Sequence, residues 1–475
     1  MTEMKNKKGK TTLNFLLVFL WIFSTAFFIW QHSTGLSWDF MSYTLNAKYF
    51  LSQGAYFEWY RPPLTSFLIG IFSVFGWKIA EYFFIISVSS LYFFSSIKLA
   101  EKFNINKEIF YALSITPFLL INSMYVGTEL LSFALLQLFI AYIGDKKAPF
   151  FLALATLTRY NLITFFPLLL LSKNLKKFFR DTIIFIGLWL PWLVFNFIST
   201  GNPIASLMDS YALNIKFRGY MTMPFDFSHL LMVIGFLSPF FIVGIYYALK
   251  GQIEKKKLDI PFLTMFFVIA LTIFSYAKIP FKTSRYLFDL TLPAAYFSVI
   301  SICKIKSEQI KKGIVYILII SSIISVYIIA ADTSTLVKLE NPSNYTGILP
   351  EISPYVKNCA LASNAWVHLN YLYKITTESA PSAEILDYKI NQGYRVLLFK
   401  HITEPSYTFD REFIKKFQIL KENERYILLG KEDLCADAKK ADKTYLESMT
   451  EFYKIGYNES FHISAYELLF TDKSA

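Results

Sequence analysis

Histidine and cysteine are scarce in this chain of 475 residues, which has five of the first and three of the second. The histidines, His32, His229, His368, His401 and His462, show no metal-ligand spacing, so a zinc framework has no basis here and structural roles are expected. G-x-G-x-x-G, G-x-x-x-x-G-K-[ST] and H-E-x-x-H are also missing from its polar carboxy-terminal stretch, which removes support for nucleotide, phosphate-loop and zinc-protease chemistry. Acids are outnumbered, 35 against 47 basic residues, for a net charge of +12. The basic residues are parcelled into clusters between apolar runs instead of forming one face, so the charge does not indicate a nucleic-acid partner. What abounds is apolar surface, at 54% hydrophobic residues, too many long runs for one globular core. The chain reads as a polytopic α-helical membrane protein.

The basic clusters are Lys5 to Lys10, Lys98 to Lys107, Lys146-Lys147, Lys173 to Arg180, Lys250 to Lys257 and Lys304 to Lys312. The positive-inside rule places all of them in the cytoplasm. Nine spans connect them consistently: 12–30, 78–97, 109–122, 128–144, 181–198, 228–249, 260–277, 287–303 and 313–331. The run 148–171 joins two cytoplasmic clusters, yet at about 1.5 Å per residue it cannot cross a core of roughly 30 Å twice. It is expected to be two half-depth helices broken near Thr158-Arg159-Tyr160-Asn161. Leu64 to Gly76 is too short to span and is expected to be re-entrant or interfacial, while the long first run, lacking a small-residue cleavage site, reads as an anchor. Parity then puts the carboxy-terminal region outside.

The first outside loop is the most informative segment, because Asp39 falls within a turn or two of a membrane exit, where a charge is costly unless used or paired. Tyr43, Ala47, Phe50 and Leu51 repeat at helical spacing behind it, which predicts an amphipathic interfacial helix ended by Gly54. Tyr56, Glu58, Trp59, Tyr60 and Arg61 follow, then Pro62-Pro63, which stiffens the chain. Arginine suits phosphate, since its planar fork matches phosphate oxygens, although Arg61 also suits snorkelling to headgroups. An arginine inside the apolar run that holds Arg159 costs roughly 2.5–3.5 kcal/mol on insertion scales and is expected to be functional. Arg285, with Lys278 and Lys282, forms a second cationic patch suited to substrate or to anionic lipid.

An Asp after the first span, an interfacial helix, and then Tyr56, Arg61, Pro62, Pro63 and Leu64 in the order Tyr-x-x-x-x-[Arg/Lys]-Pro-Pro-Leu resemble the GT-C superfamily of membrane glycosyltransferases, in particular its protein O-mannosyltransferase and aminoarabinose transferase branch. Weaker matches are Thr128-Glu129, Leu157-Thr158-Arg159, Pro191-Trp192, Gly201-Asn202-Pro203 and Arg285-Tyr286-Leu287. The resemblance implies a GT-C-like membrane fold that moves a sugar from a polyprenyl-phosphate carrier to a lipid, glycan or protein acceptor at the outer face. In an inverting transfer a carboxylate takes the proton of the attacking hydroxyl, and Asp39 is the candidate general base, though an Asp there also caps a helix. Arg61, Arg159, Arg285 and Lys282 are candidates for the substrate phosphate, and Glu129, Tyr56 and Trp59 for further substrate contacts. Glu129 equally suits a helix N-terminus. Trp38-Asp39-Phe40 lacks a second adjacent acid, poor ligation for a divalent cation, so transfer without metal or other cofactor is expected.

Beyond Ala331 the composition turns polar, which divides the chain into a membrane domain, 1–331, and an extracytoplasmic domain, 332–475. Helix 351–357, strand 360–363, helix 365–373 and strands 395–400 and 426–430 predict a small α/β sheet. Cys359 and Cys435 both fall in it and are candidates for a disulfide, whereas Cys303 reads as a small buried side chain. N-x-[ST] sites occur at Asn344 and Asn458. A transporter or flippase for a lipid-linked or small anionic substrate is the rival reading, since intramembrane arginines and broken helices also mark transport. No duplication of the Asp-to-Pro-Pro segment supports it.

Overall fold

The computed structural model describes residues 2–438 apart from 55, 173, 212–213, 216–221, 257, 332–340, 357, 374, 381–382 and 403–410, so Asn458 lies outside the described residues. The chain divides into two compact units. The first holds Met1–Ser33 and Trp59–Leu339, the second Thr34–Glu58 and Glu340–Ala475.

Among the described residues seven helices are long and apolar enough to cross a membrane: Phe15–Thr34, Trp77–Phe103, Leu175–Thr200, Phe227–Lys255, Ile260–Lys278, Ser284–Cys303 and Glu308–Ile328. This is a multi-pass membrane protein. Two of the nine expected spans are not of that kind. The run 109–122 is split into helices Lys107–Ser114 and Pro117–Ser123, because Pro117 has no amide proton to continue the first, while Thr116 accepts from the Leu119 amide and starts the second. The run 128–144 is helix Glu129–Ala141, only 13 residues long and buried along its whole length. It packs between helices Trp77–Lys102 and Lys147–Thr158, and its Gln137 carbonyl accepts from Ser95 and Ser96 at 2.7 and 3.0 Å. Removing both runs leaves an odd number of crossings, so parity is unchanged.

The hairpin takes its expected form. Helix Lys147–Thr158 stops at Arg159, whose backbone is extended (φ −148°, ψ 112°), and Tyr160–Ser172 continues as 3₁₀ helix. Close packing demands glycine at Gly244, where a Cβ would overlap the Phe297 carbonyl. Gly201 ends helix Leu175–Thr200 in the left-handed region, φ 76°. Cys303 departs from expectation: it is exposed at the end of helix Thr291–Cys303.

In the second unit the sheet has the order β2-β1-β3-β5-β4, with β1 (Leu361–Ser363), β2 (Thr377–Ser379) and β3 (Arg395–Phe399) parallel, and β4 (Ile419–Glu422) and β5 (Tyr426–Leu429) an antiparallel pair beside β3. Parallel neighbours need crossovers, and helices Trp366–Tyr373 and Ala383–Asn391 supply them. The pleat sends Leu397 and Phe399 into one apolar cluster and Val396 and Leu398 into the other. β2 and β4 carry weak sequence signals: one is Thr-Glu-Ser, and the other is a largely exposed edge with a register shift between Ile419 and Lys421. Buried Glu378 of β2 is held by Lys389 and by the Tyr394 hydroxyl at 2.9 Å.

Helix Trp38–Phe50 departs from the expected interfacial form, because Phe40 through Ala47 are all buried, leaving no exposed face along its middle. It packs against helix Trp366–Tyr373, with Trp38 edge-on to Trp366 at 4.6 Å. Its end is set by Leu51 and Ser52 (φ 56°) instead of Gly54. A disulfide joins Cys359 to Cys435, with Cα atoms 5.2 Å apart. Intact mass should therefore rise by two hydrogens on reduction, and one thiol, Cys303, should alkylate before it. Three reactive thiols in the unreduced protein would refute the crosslink.

Candidate active site

Glu129 opens its helix in the first unit with a side chain only 1% exposed, and a lone carboxylate at that burial is expensive. Two arginines answer it. Arg159, at the extended break of the hairpin, places Nη1 3.5 Å from Glu129 Oε1, and Arg285, entering the span Ser284–Cys303, places Nε 3.4 Å from the same oxygen. The other oxygen, Oε2, accepts from the Thr128 hydroxyl at 3.0 Å. Asp289, buried one helical turn beyond Arg285, is close enough to feel the charges of both Arg159 and Glu129. Three residues far apart in sequence thus converge, as two cations on one carboxylate with a second carboxylate beside them. Both arginine contacts exceed the 2.7–2.9 Å typical of a tight charge-assisted bond. Glu129 orients the guanidinium groups without closing them into a bidentate clamp, an arrangement that suits a phosphate.

Lys282 does something different from Arg285. Its ammonium turns back onto the carbonyls of Tyr276, Ala277 and Ile279 and lies 5.3 Å from the Tyr276 ring, capping helix Ile260–Lys278. Burial lowers its pKa from the usual lysine value. The patch expected from sequence is therefore divided, with Arg285 turned inward to Glu129 and Lys282 satisfying a helix end.

Arg61, also of the first unit, is buried, and its guanidinium lies 5.2 Å from the Tyr60 ring centre. Pro62 and Pro63 follow it into helix Leu64–Phe72, Pro63 being the residue before the first turn. Trp59 stacks on Phe195 at 5.3 Å.

Asp39 and Tyr56 belong to the second unit. Asp39 is half-buried in the first turn of helix Trp38–Phe50, after Ser37, whose hydroxyl accepts from the Phe40 amide. The Tyr56 hydroxyl donates to buried Glu58 and accepts from the Trp366 indole at 3.0 Å. Asn46 pairs with the Glu58 backbone in both directions, at 2.9 and 3.1 Å. Sequence reasoning missed Asp289, although an acid four residues after Arg285 inside an apolar run was a usable signal. Trp366 and Asn46 carried no such mark.

No family model and no curated protein matches the sequence. Among solved structures the chain is similar to ArnT from Cupriavidus metallidurans, in a crystal structure bound to undecaprenyl phosphate (TM-score 0.54, 9% identity, covering 89% of this chain and 98% of that one). The apo crystal structure of ArnT matches equally well, with TM-score 0.55, 11% identity and the same 89% and 98% coverage. The fold is that of ArnT. The architecture implied by the first-loop resemblance is the one observed, with a small sheet domain appended to the polytopic helices.

A test of the cluster follows from its charge balance. Glu129→Gln leaves two partly buried guanidinium groups facing one remaining acid and should destabilise the protein in detergent by roughly 3 kcal/mol. Adding Arg285→Ala should restore part of the loss, giving a coupling of roughly 1–3 kcal/mol in denaturation midpoints. Additive losses would mean that the two groups do not interact.

Proposed function

We propose that this protein is a membrane glycosyltransferase that moves a sugar from a polyprenyl-phosphate donor to an acceptor hydroxyl at the outer membrane face, with inversion at the anomeric carbon. One observation carries the reading: a pair of partly exposed arginines held open by one buried glutamate, in a fold shared with a transferase whose crystal structure contains undecaprenyl phosphate. Asp39 is the general base, a role that rests on its place in the first-loop sequence pattern. It takes the proton of the acceptor hydroxyl as that oxygen bonds to the anomeric carbon, and the bond from that carbon to the phosphate oxygen breaks. The departing phosphate gains charge. Arg159 and Arg285 stabilise that charge, and Arg61 is the third cation assigned to it, by the sequence pattern and its guanidinium chemistry. Tyr56 and Trp59 are assigned to the donor sugar's surroundings on the same pattern, and Lys282 acts indirectly by fixing the loop before Arg285.

The reaction is tested with purified protein in nanodiscs, a panel of polyprenyl-phosphate sugars, and release of free polyprenyl phosphate as the readout. Asp39→Asn should abolish release while yield and thermal midpoint persist, because the amide keeps the shape and cannot accept the proton. Wild-type turnover by that variant at saturating donor would sink the base assignment. Arg159→Ala should lower turnover or donor affinity by roughly 10-fold or more, the worth of one charge-assisted bond.

Orientation follows from the basic clusters. Cysteines placed at the exposed positions Ser52 and Gln392, in a background lacking native thiols, should react with an impermeant reagent from outside, and those at exposed Lys147 and Lys306 should not. Protection of Ser52 and Gln392 would overturn the outer-face assignment.

A further inference from the structure

Helix Leu175–Thr200 carries Trp189, Trp192 and Asn196 along one side, all buried in an otherwise largely exposed span. Their polar atoms have specific partners. The Trp189 indole donates to Thr156 Oγ1 at 2.9 Å, and the Trp192 indole is shared between the Tyr160 hydroxyl at 2.8 Å and Ser206 Oγ at 2.9 Å. Tyr160 and Ser206 also bond each other at 2.9 Å. Asn196 closes the circuit, accepting from the Ser206 amide at 3.1 Å and donating to the Trp192 carbonyl at 2.7 Å. Thr156 and Tyr160 bracket Arg159, so two indole N–H groups fasten the chain on both sides of the one residue where the hairpin is extended.

The same helix face reaches the other end of the proposed phosphate site. Phe195 lies nearly parallel to Trp192, 5.2 Å away at 17°, and to Trp59, 5.3 Å away at 28°. Trp59 precedes Arg61 by two residues. One rigid face therefore holds the backbone neighbours of two cations that are distant in sequence.

We propose that Trp192 is a positioning residue which sets Arg159, through Tyr160, and Arg61, through the Phe195–Trp59 stack, for binding the carrier's phosphate; the inference rests on the functional reading above. Packing alone does not account for the arrangement, because phenylalanine would keep an aromatic ring in the stack yet lose the shared N–H along with part of the indole's volume. Trp192→Phe therefore separates the two roles.

The experiment measures binding of undecaprenyl phosphate and of undecaprenol to the full chain in nanodiscs. Trp192→Phe should weaken the phosphate lipid about 10-fold and leave undecaprenol binding unchanged. In an Arg159→Ala background the same substitution should add less than about 2-fold, since its effect passes through that arginine. Ser206→Ala, which removes one acceptor of the same indole, should shift phosphate binding in the same direction and carries the test if Trp192→Phe fails to fold. Full multiplication of the Trp192 and Arg159 effects, or equal loss for both lipids, would refute the positioning role while wild-type preference for the phosphate lipid upholds the functional reading. Wild-type protein that binds the two lipids equally would overturn both.

Discussion

A buried carboxylate shared by two arginines governs the interior of the membrane unit. Glu129 begins a helix with no exposed side, where a carboxylate without its cations would be costly to bury. The arginines are in turn kept at depth by Glu129 and by the nearby charge of Asp289. Each charge makes the others tolerable. The cluster joins the hairpin break, the start of a short helix and the entry to the span Ser284–Cys303, so satisfying electrostatics and fixing tertiary structure are the same act.

Half-length elements follow from that interior. Helix Glu129–Ala141 and the two arms of the hairpin are too short to cross a bilayer, and their broken ends expose backbone groups that lipid cannot satisfy. They are covered by protein instead: Ser95 and Ser96 both donate to Gln137, and Trp189 and Trp192 bond the hairpin on either side of Arg159. The long spans Leu175–Thr200, Phe227–Lys255 and Glu308–Ile328 are by contrast mostly exposed, as helices facing lipid are. Polar side chains are concentrated where the chain is irregular, which is also where the candidate site lies.

In the second unit a linear reading of domains meets a different physical fact. The segment Thr34–Glu58 groups with Glu340–Ala475, and helix Trp38–Phe50 buries eight consecutive residues there. Tyr56, Glu58, Asn46 and Trp366 form a hydrogen-bonded set that no spacing rule announces, because its members come from segments some three hundred residues apart. Asp39 sits in the first turn of that helix, so the candidate base is carried by an element that packs against helix Trp366–Tyr373 of the sheet domain.

Hydropathy and charge in the sequence were enough to determine a polytopic helical protein, a broken hairpin at Arg159, a polar α/β domain at the end and a short first-loop motif pointing to one fold. These depend on local quantities: run length against bilayer thickness, proline and glycine positions, and alternation along buried strands. Tertiary structure alone decided that Arg285 turns inward while Lys282 caps a helix, that Asp289 joins the arginines, and that two expected spans are buried or broken. It also decided that the first-loop helix is buried along its middle and packs against helix Trp366–Tyr373 of its unit. The reason is physical. The worth of a charge or a hydrogen bond depends on what surrounds it, and burial is a property of the fold that no single stretch of sequence carries.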